Sequence, residues 1–234
     1  MAYKLNQIND FGTGFMKNLM SRFLTLMFHL FLLMVLSFSK HSFASKNEFL
    51  LSQANQKINV QHDIQTTKRL NAWEKLVFHN LDKNAEEKLK LVNDFFNQME
   101  WVEDEDLWNE KDYWATPIES LIKNAGDCED FSIAKYYTLL AMDIPEEQLK
   151  ITYVKLDNQQ GHMVLFYYPT YSAEPLILDN MSNEIKTKSQ RTDIRFMFSF
   201  NHDGFWLDSN KNSKPNEKNI INQWADMINR IKNE

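Results

Sequence analysis

The spacing of apolar residues changes from helical to strand-like at Pro145, and this change limits the possible folds more than any other feature. Before Pro145, apolar residues recur at helical spacing; after it, short apolar runs alternate with turn residues. Helices followed by consecutive strands favour an α+β fold with an antiparallel sheet. The predicted helices cover 64–81, 85–100, 126–142 and 219–231, and the predicted strands cover 150–156, 162–169, 175–180 and 195–201.

The first 44 residues have the pattern of a secretory signal peptide. Its features are Lys17, Arg22, the apolar run 24–38, Ser42 and Ala44. The pattern predicts export, with a signal peptide at 1–44, whose start is Met1, Met16 or Met20, and a single mature domain at 45–234. An uncleaved anchor is the alternative, but the apolar run is shorter than the roughly 20 residues that span a bilayer.

The charge balance limits the possible partners. The whole chain has a formal net charge of −6, and removal of residues 1–44, with four basic and one acidic residue, leaves −9. This balance argues against nucleic acid and anionic membrane surfaces as partners, and it is compatible with a bound divalent cation. After cleavage we expect no membrane-spanning segment.

The stretch NAGDCEDF contains the only cysteine, Cys128. An exported protein with one cysteine forms no internal disulfide, so the thiol is either a buried apolar group or a reactive one. Asp127 is a good N-cap, which makes Cys128 the first helical residue. The helix start lowers the pKa of a thiol there, whereas the carboxylates of Asp127, Glu129 and Asp130 raise it.

A cysteine nucleophile needs a base, and the base needs an orienting partner. Among the four histidines after residue 44, only His162 begins an apolar strand, and Asp179 ends the next strand after three apolar residues. Cysteine at a helix start, histidine on one strand and aspartate on the next is the papain-type order. The alternatives are a surface histidine and a turn-forming aspartate.

The carboxylates beside Cys128 have two interpretations. Calcium takes six to eight oxygen ligands, and Asp127, Glu129 and Asp130 could supply several of them. Alternatively, Asp127 and Asp130 cap the helix and Glu129 is solvated. The acidic segment 102–110, VEDEDLWNE, could form a second metal site, but its spacing does not match an EF-hand, and we predict a solvated loop there.

Three segments resemble the bacterial transglutaminase-like cysteine proteinases: DYWATPIESLIKNAGDCEDFSIAKYYTLLAM, GHMVLFYY and ILDN. The resemblance implies a papain-like or transglutaminase-like core, with the nucleophile helix packed on an antiparallel sheet. It also implies that Cys128 is the nucleophile, His162 the general base and acid, and Asp179 the residue that orients the imidazole. The acids beside Cys128 resemble calcium ligands of the family.

The resemblance further implies a biological role. It indicates a periplasmic, calcium-dependent endopeptidase that cuts a large surface adhesin near its N-terminus and so promotes biofilm dispersal. An inner-membrane receptor for cyclic di-GMP is the implied regulatory partner. Two other classes remain open from the residues: an acyl-transferring transglutaminase or amidase with the same triad, and a catalytically silent calcium-binding interaction module.

Overall fold

The structure is a computed structural model that describes residues 63–170, 172–207 and 217–233. The predicted signal peptide, residues 1–44, lies outside the described residues, so its cleavage and the limits of the mature domain stay predictions. No helix within the described ranges combines the length and the hydropathy that a transmembrane span requires.

Two amphipathic helices come first, and both begin at residues that satisfy free backbone N–H groups. Helix α1 (Ile64–Phe78) begins at Asp63, whose side chain accepts hydrogen bonds from two N–H groups of the first turn. Helix α2 (Ala85–Phe96) begins with a capping box formed by Asn84 and Glu87. Their apolar faces, including Leu70, Trp73, Leu89, Val92 and Phe96, enter the main core.

Short elements then lead to the central helix. They are β1 (Glu100–Trp101), α3 (Asp104–Trp108), α4 (Pro117–Lys123) and β2 (Ala125–Gly126), and the central helix is α5 (Cys128–Ala141). Helix α5 is buried along almost its whole length. Two buried polar groups at its C-terminal end have partners in the core: Trp73 Nε1 donates to Thr138 Oγ1 at 2.8 Å, and Lys88 Nζ donates to the Met142 carbonyl at 2.8 Å.

A six-stranded antiparallel sheet follows, in the order β6-β5-β4-β3-β7-β8. Its strands are β3 (Leu149–Leu156), β4 (Gly161–Tyr167), β5 (Leu176–Asp179), β6 (Ser182–Thr187), β7 (Ile194–Asn201) and β8 (Gly204–Leu207). Helix α5 packs on one face against β4 and β3. A last helix, α6 (Glu217–Asn233), buries Trp224, Met227 and Ile231.

The predicted α+β fold, with a nucleophile helix on an antiparallel sheet, is confirmed. All four predicted helices and all four predicted strands are present, with shifted ends. The sequence pattern missed the two edge strands, β6 and β8. Strand β6, SNEIKT, has one apolar residue, and β8, GFWL, is only four residues long, so neither shows a strand periodicity.

Candidate active site

Cys128 is the first residue of α5, as predicted. Asp127 precedes it with an extended backbone (φ −105°, ψ −164°), which turns the chain from β2 into the helix. The thiol faces the backbone N–H of Met163 on β4 and lies 3.0 Å from Glu129 Oε2. Helix α5 therefore places the thiol against the strand that carries His162.

The electrostatic surroundings of the thiol oppose its ionisation. Burial raises the pKa of the Cys128 thiol well above its ordinary value, and the carboxylates of Glu129 and Asp127 add to the rise. The N–H of Met163 acts in the opposite direction. The expectation that the helix start lowers this pKa is therefore outweighed by burial and by the adjacent acids.

His162 and Asp179 form a buried pair at neighbouring strand ends. His162 Nε2 lies 2.8 Å from Asp179 Oδ1, and the two residues are 5% and 1% exposed. An ionised carboxylate only accepts hydrogen bonds, so Nε2 carries the proton in this contact. In the neutral imidazole, Nδ1 is then the ring nitrogen that can accept a proton.

Asp179 is held in its ionised form. Burial opposes ionisation, but hydrogen bonds from His162, the backbone N–H of Met181 and Arg191 keep the pKa of Asp179 well below its usual value. Asn97 Nδ2 donates to the Asp179 carbonyl at 2.9 Å and fixes the backbone at the same point. The carboxylate can therefore orient an imidazole without becoming protonated.

A group of acids, which we call the acid cluster, lies directly beside Cys128. Carboxylate oxygens of Asp104, Asp127 and Asp130 lie within 4.8 Å of one another. One buried oxygen of each residue has no hydrogen-bond partner among the described residues: Asp104 Oδ1, Asp127 Oδ1 and Asp130 Oδ2. Unpaired buried carboxylate oxygens are unfavourable, and hard divalent cations bind such oxygens. The donor set therefore fits a divalent cation.

Burial, together with crowding of negative charge, raises the pKa values of these carboxyl groups. Burial raises the pKa of Asp104 to about 6, with further contributions from Asp112 and Glu110. Burial, and then the charge of Asp127, raise the pKa of Asp130 well above its usual value. The pKa of Glu129 is also raised, first by burial. A nearby dication reverses the direction of such shifts.

The side chains of Asp127 and Asp130 do not cap helix α5. Asp127 occupies the N-cap position but makes no capping hydrogen bond. Asp130 Oδ1 accepts a hydrogen bond from the Ala115 N–H at 2.7 Å, across to another segment. Gly126 provides the space for this arrangement, because a Cβ there would lie 2.6 Å from Asp130 Oδ2. Glu129, predicted as a ligand or a solvated residue, contacts the thiol.

The acidic segment 102–110 is not the solvated loop that we predicted. It forms α3, and Asp104 is 3% exposed, with its Oδ2 accepting the Tyr113 N–H at 2.6 Å. Asp104 therefore joins the acids of the NAGDCEDF segment. No sequence signal identified Asp104, because its neighbours Glu103, Glu105 and Asp106 are equally acidic and are exposed.

The fold and the site together define a class of protein. A single cysteine at a helix start, packed on a sheet that carries a buried His–Asp pair, is the arrangement of papain-like cysteine hydrolases. Residues 66–214 match the model of the family described as bacterial transglutaminase-like cysteine proteinase. The match covers more than half of the chain, and the chain belongs to this family of cysteine proteases. The resemblance inferred from the sequence is thus confirmed.

Solved structures provide the second comparison. LapG of Legionella pneumophila is 38% identical, with 79% of this chain and 97% of that chain covered and a TM-score of 0.66. EGTA-treated LapG from the same organism is 38% identical, with the same coverage and a TM-score of 0.67. Calcium-bound LapG is 36% identical over 77% of this chain and 98% of that chain, with a TM-score of 0.67. A comparison with curated protein sequences found no match.

Proposed function

We propose that this cysteine protease is a periplasmic, calcium-dependent endopeptidase with Cys128 as nucleophile, His162 as base and Asp179 as orienting residue. The observation that carries the proposal is the buried contact of 2.8 Å between His162 Nε2 and Asp179 Oδ1, on the sheet against which the Cys128 helix packs. A histidine and an aspartate buried together on neighbouring strands are the two partners that a cysteine nucleophile requires.

The proposed reaction follows from the two ring nitrogens of His162. Asp179 keeps the proton on Nε2, so Nδ1 accepts the proton of the Cys128 thiol. The thiolate attacks the scissile carbonyl, and backbone N–H groups at the start of α5 stabilise the oxyanion. His162 Nδ1–H then protonates the leaving amine, which departs as the C–N bond breaks. Water hydrolyses the thioester and restores the thiol.

Calcium is the proposed ion at the acid cluster, because calcium-bound and EGTA-treated forms of LapG are known. Asp104, Asp127 and Asp130 would hold it through their unpaired oxygens, with Glu129 as the fourth acid beside them. Bound calcium supplies positive charge that offsets the carboxylates which raise the thiol pKa.

The adhesin, the compartment and the receptor complete the proposal. The signal pattern at 1–44 supports export to the periplasm. The family resemblance supports cleavage of a large surface adhesin near its N-terminus, with release of the adhesin and biofilm dispersal. It also supports control by an inner-membrane receptor for cyclic di-GMP that sequesters the protease when the messenger is abundant.

The test is incubation of the purified protein with N-terminal regions of candidate adhesins, followed by mass analysis of the products. We expect two hydrolysed fragments with the wild type in calcium and none with Cys128→Ala. Chelation with EGTA should stop cleavage, and calcium but not magnesium should restore it. Full activity after thorough chelation would refute the role of calcium.

The same products distinguish the alternative classes. Cross-linked or amidated product in place of two fragments would indicate acyl transfer by a transglutaminase or amidase. Adhesin release that persists in cells carrying Cys128→Ala would indicate a silent interaction module. Detection of a mature N-terminus near residue 45 in the periplasmic fraction would test the predicted signal peptide and the compartment together.

A further inference from the structure

The carboxylate of Asp179 is fixed at both of its oxygens. Oδ1 lies 2.8 Å from His162 Nε2 and accepts the Met181 N–H at 2.9 Å. Oδ2 accepts a hydrogen bond from Arg191 Nη1 at 2.8 Å. The carboxylate cannot rotate about its bond to Cβ without breaking one of these contacts. Arg191 therefore controls which oxygen faces the imidazole.

Arg191 is itself anchored from the other side. Its Nε and Nη2 atoms donate to the two oxygens of Asp193, each at 2.8 Å, and its side chain is 10% exposed. The backbone N–H of Arg191 also donates to the Lys188 carbonyl at 3.2 Å. A planar guanidinium can bind two carboxylates on two of its edges at once, whereas a lysine ammonium cannot hold this geometry.

The charged groups around Asp179 come from several elements. His162 lies on β4, Arg191 follows β6, and Lys135 lies on α5, where it interacts with Asp179 electrostatically. Asp193 is the nearby acid, and it is 51% exposed on the far side of Arg191. Lys135 makes its hydrogen bond to Asn93 Oδ1 rather than to Asp179. Of the two cations, only Arg191 is seen in direct contact with the carboxylate.

We propose that Arg191 is a positioning residue for the protease reaction, anchored by Asp193 and acting through Asp179 on His162. Arg191 holds Asp179 so that Oδ1 receives the Nε2 proton, and this orientation leaves Nδ1 for the Cys128 thiol. The inference rests on the proposed triad, and it adds two residues to it, Arg191 and Asp193, that act through Asp179.

The test measures the alkylation rate of Cys128 by iodoacetamide in saturating calcium, which requires no protein substrate. Arg191→Gln removes both the charge and the planar guanidinium, and Arg191→Lys keeps only the charge. Arg195→Gln is the matched control, because Arg195 is exposed on β7 and contacts Gln159. His162→Ala reports how much of the alkylation rate depends on the imidazole.

We expect His162→Ala and Arg191→Gln to slow alkylation, the latter by at least about 10-fold, since general base catalysis contributes roughly 10²–10⁴-fold. Arg191→Lys should lie between Arg191→Gln and the wild type, and Arg195→Gln should match the wild type. With a cleavable substrate, Arg191→Gln should lower kcat and leave KM unchanged. It should also move the acid limb of the kcat/KM profile to higher pH, because the Asp179 carboxylate loses its cation.

Two results would overturn the inference. If His162→Ala is slow and Arg191→Gln alkylates at the wild-type rate, Arg191 does not position the triad, and the proposed function survives. If His162→Ala alkylates at the wild-type rate, the proposed triad fails and Arg191 has nothing to position. Should Arg191→Gln not fold, Asp193→Asn replaces it, with an expected slowing of about 2- to 5-fold as the guanidinium loses one anchor.

Discussion

Asp104→Asn should raise the stability of the protein without calcium and reduce the stability that calcium adds. Asp104 lies in the acid cluster, and its Oδ1 is buried without a hydrogen-bond partner among the described residues. Without a cation, its negative charge is unfavourable next to the other acids. With a cation, the same charge is a ligand, so its removal should weaken binding.

The stabilisation expected without calcium can be estimated from the pKa of Asp104, which burial raises from 3.8 to about 6. A carboxyl group with a raised pKa binds its proton more tightly in the folded state, so stability is lost as pH rises from 3.8 through 6. At neutral pH the loss is about 3 kcal/mol. The amide of asparagine removes this loss but accepts the Tyr113 N–H less strongly, so we expect a net gain of about 2 kcal/mol.

The assay is urea unfolding at neutral pH, in EGTA and in calcium at about 100 times its dissociation constant. Wild-type protein should gain about 2.7 kcal/mol from calcium at that concentration. Asp104→Asn should begin about 2 kcal/mol more stable in EGTA and gain much less from calcium. Asp106→Asn is the matched control, because Asp106 is an exposed acid on the same helix and should change neither value.

Two outcomes would refute this reasoning. If Asp104→Asn is destabilised equally in EGTA and in calcium, Asp104 has an ordinary structural role through its bond to Tyr113. If the variant gains as much stability from calcium as the wild type does, Asp104 is not a ligand. Magnesium in place of calcium should leave the difference between the two proteins unchanged from its value in EGTA.

Three further changes test the packing around the site. Gly126→Ala should weaken calcium binding by roughly 10-fold in calorimetry, because the new Cβ would lie 2.6 Å from Asp130 Oδ2. Lys135 has its pKa lowered by burial to about 7, so the unfolded chain binds more protons above pH 7. Stability to urea should therefore rise by about 2 kcal/mol from pH 7 to pH 9, and Lys135→Met should lack this rise. Trp73→Phe loses its hydrogen bond to Thr138 and should cost about 2 kcal/mol in urea unfolding, with unchanged activity per folded molecule.

Sequence periodicity was sufficient to predict the helices and strands that bury one regular face. Helices α1 and α2 have apolar residues three and four positions apart, and β3 and β4 contain long runs of β-forming residues. Edge strands β6 and β8 could not be predicted in this way, because one of their edges is unpaired and their side chains are mostly not buried. These strands form by pairing with β5 and β7, and no local sequence pattern reveals that pairing.

The site was predictable to the extent that its residues follow from local structure. Cys128 at a helix start and the strand-end residues His162 and Asp179 can be found from turns, caps and strand ends. Asp104 and Arg191 cannot, because each reaches the site through a long-range contact that the fold creates. Among several acids or cations in one segment, burial decides which one is part of the site, and burial is a property of the whole fold.

Glu129 contacts the proposed nucleophile and also lies among the acids of the proposed calcium site. Its Oε2 lies 3.0 Å from the Cys128 thiol, and its carboxylate also groups with those of Asp104 and Asp112. The charge of Glu129, which after burial contributes most to the raised pKa of the thiol, therefore lies beside the other acids, and a cation held by these acids would offset it. On this proposal the acids add the part of the rise in the thiol pKa that calcium can offset, while burial, the largest cause of the rise, is independent of the metal.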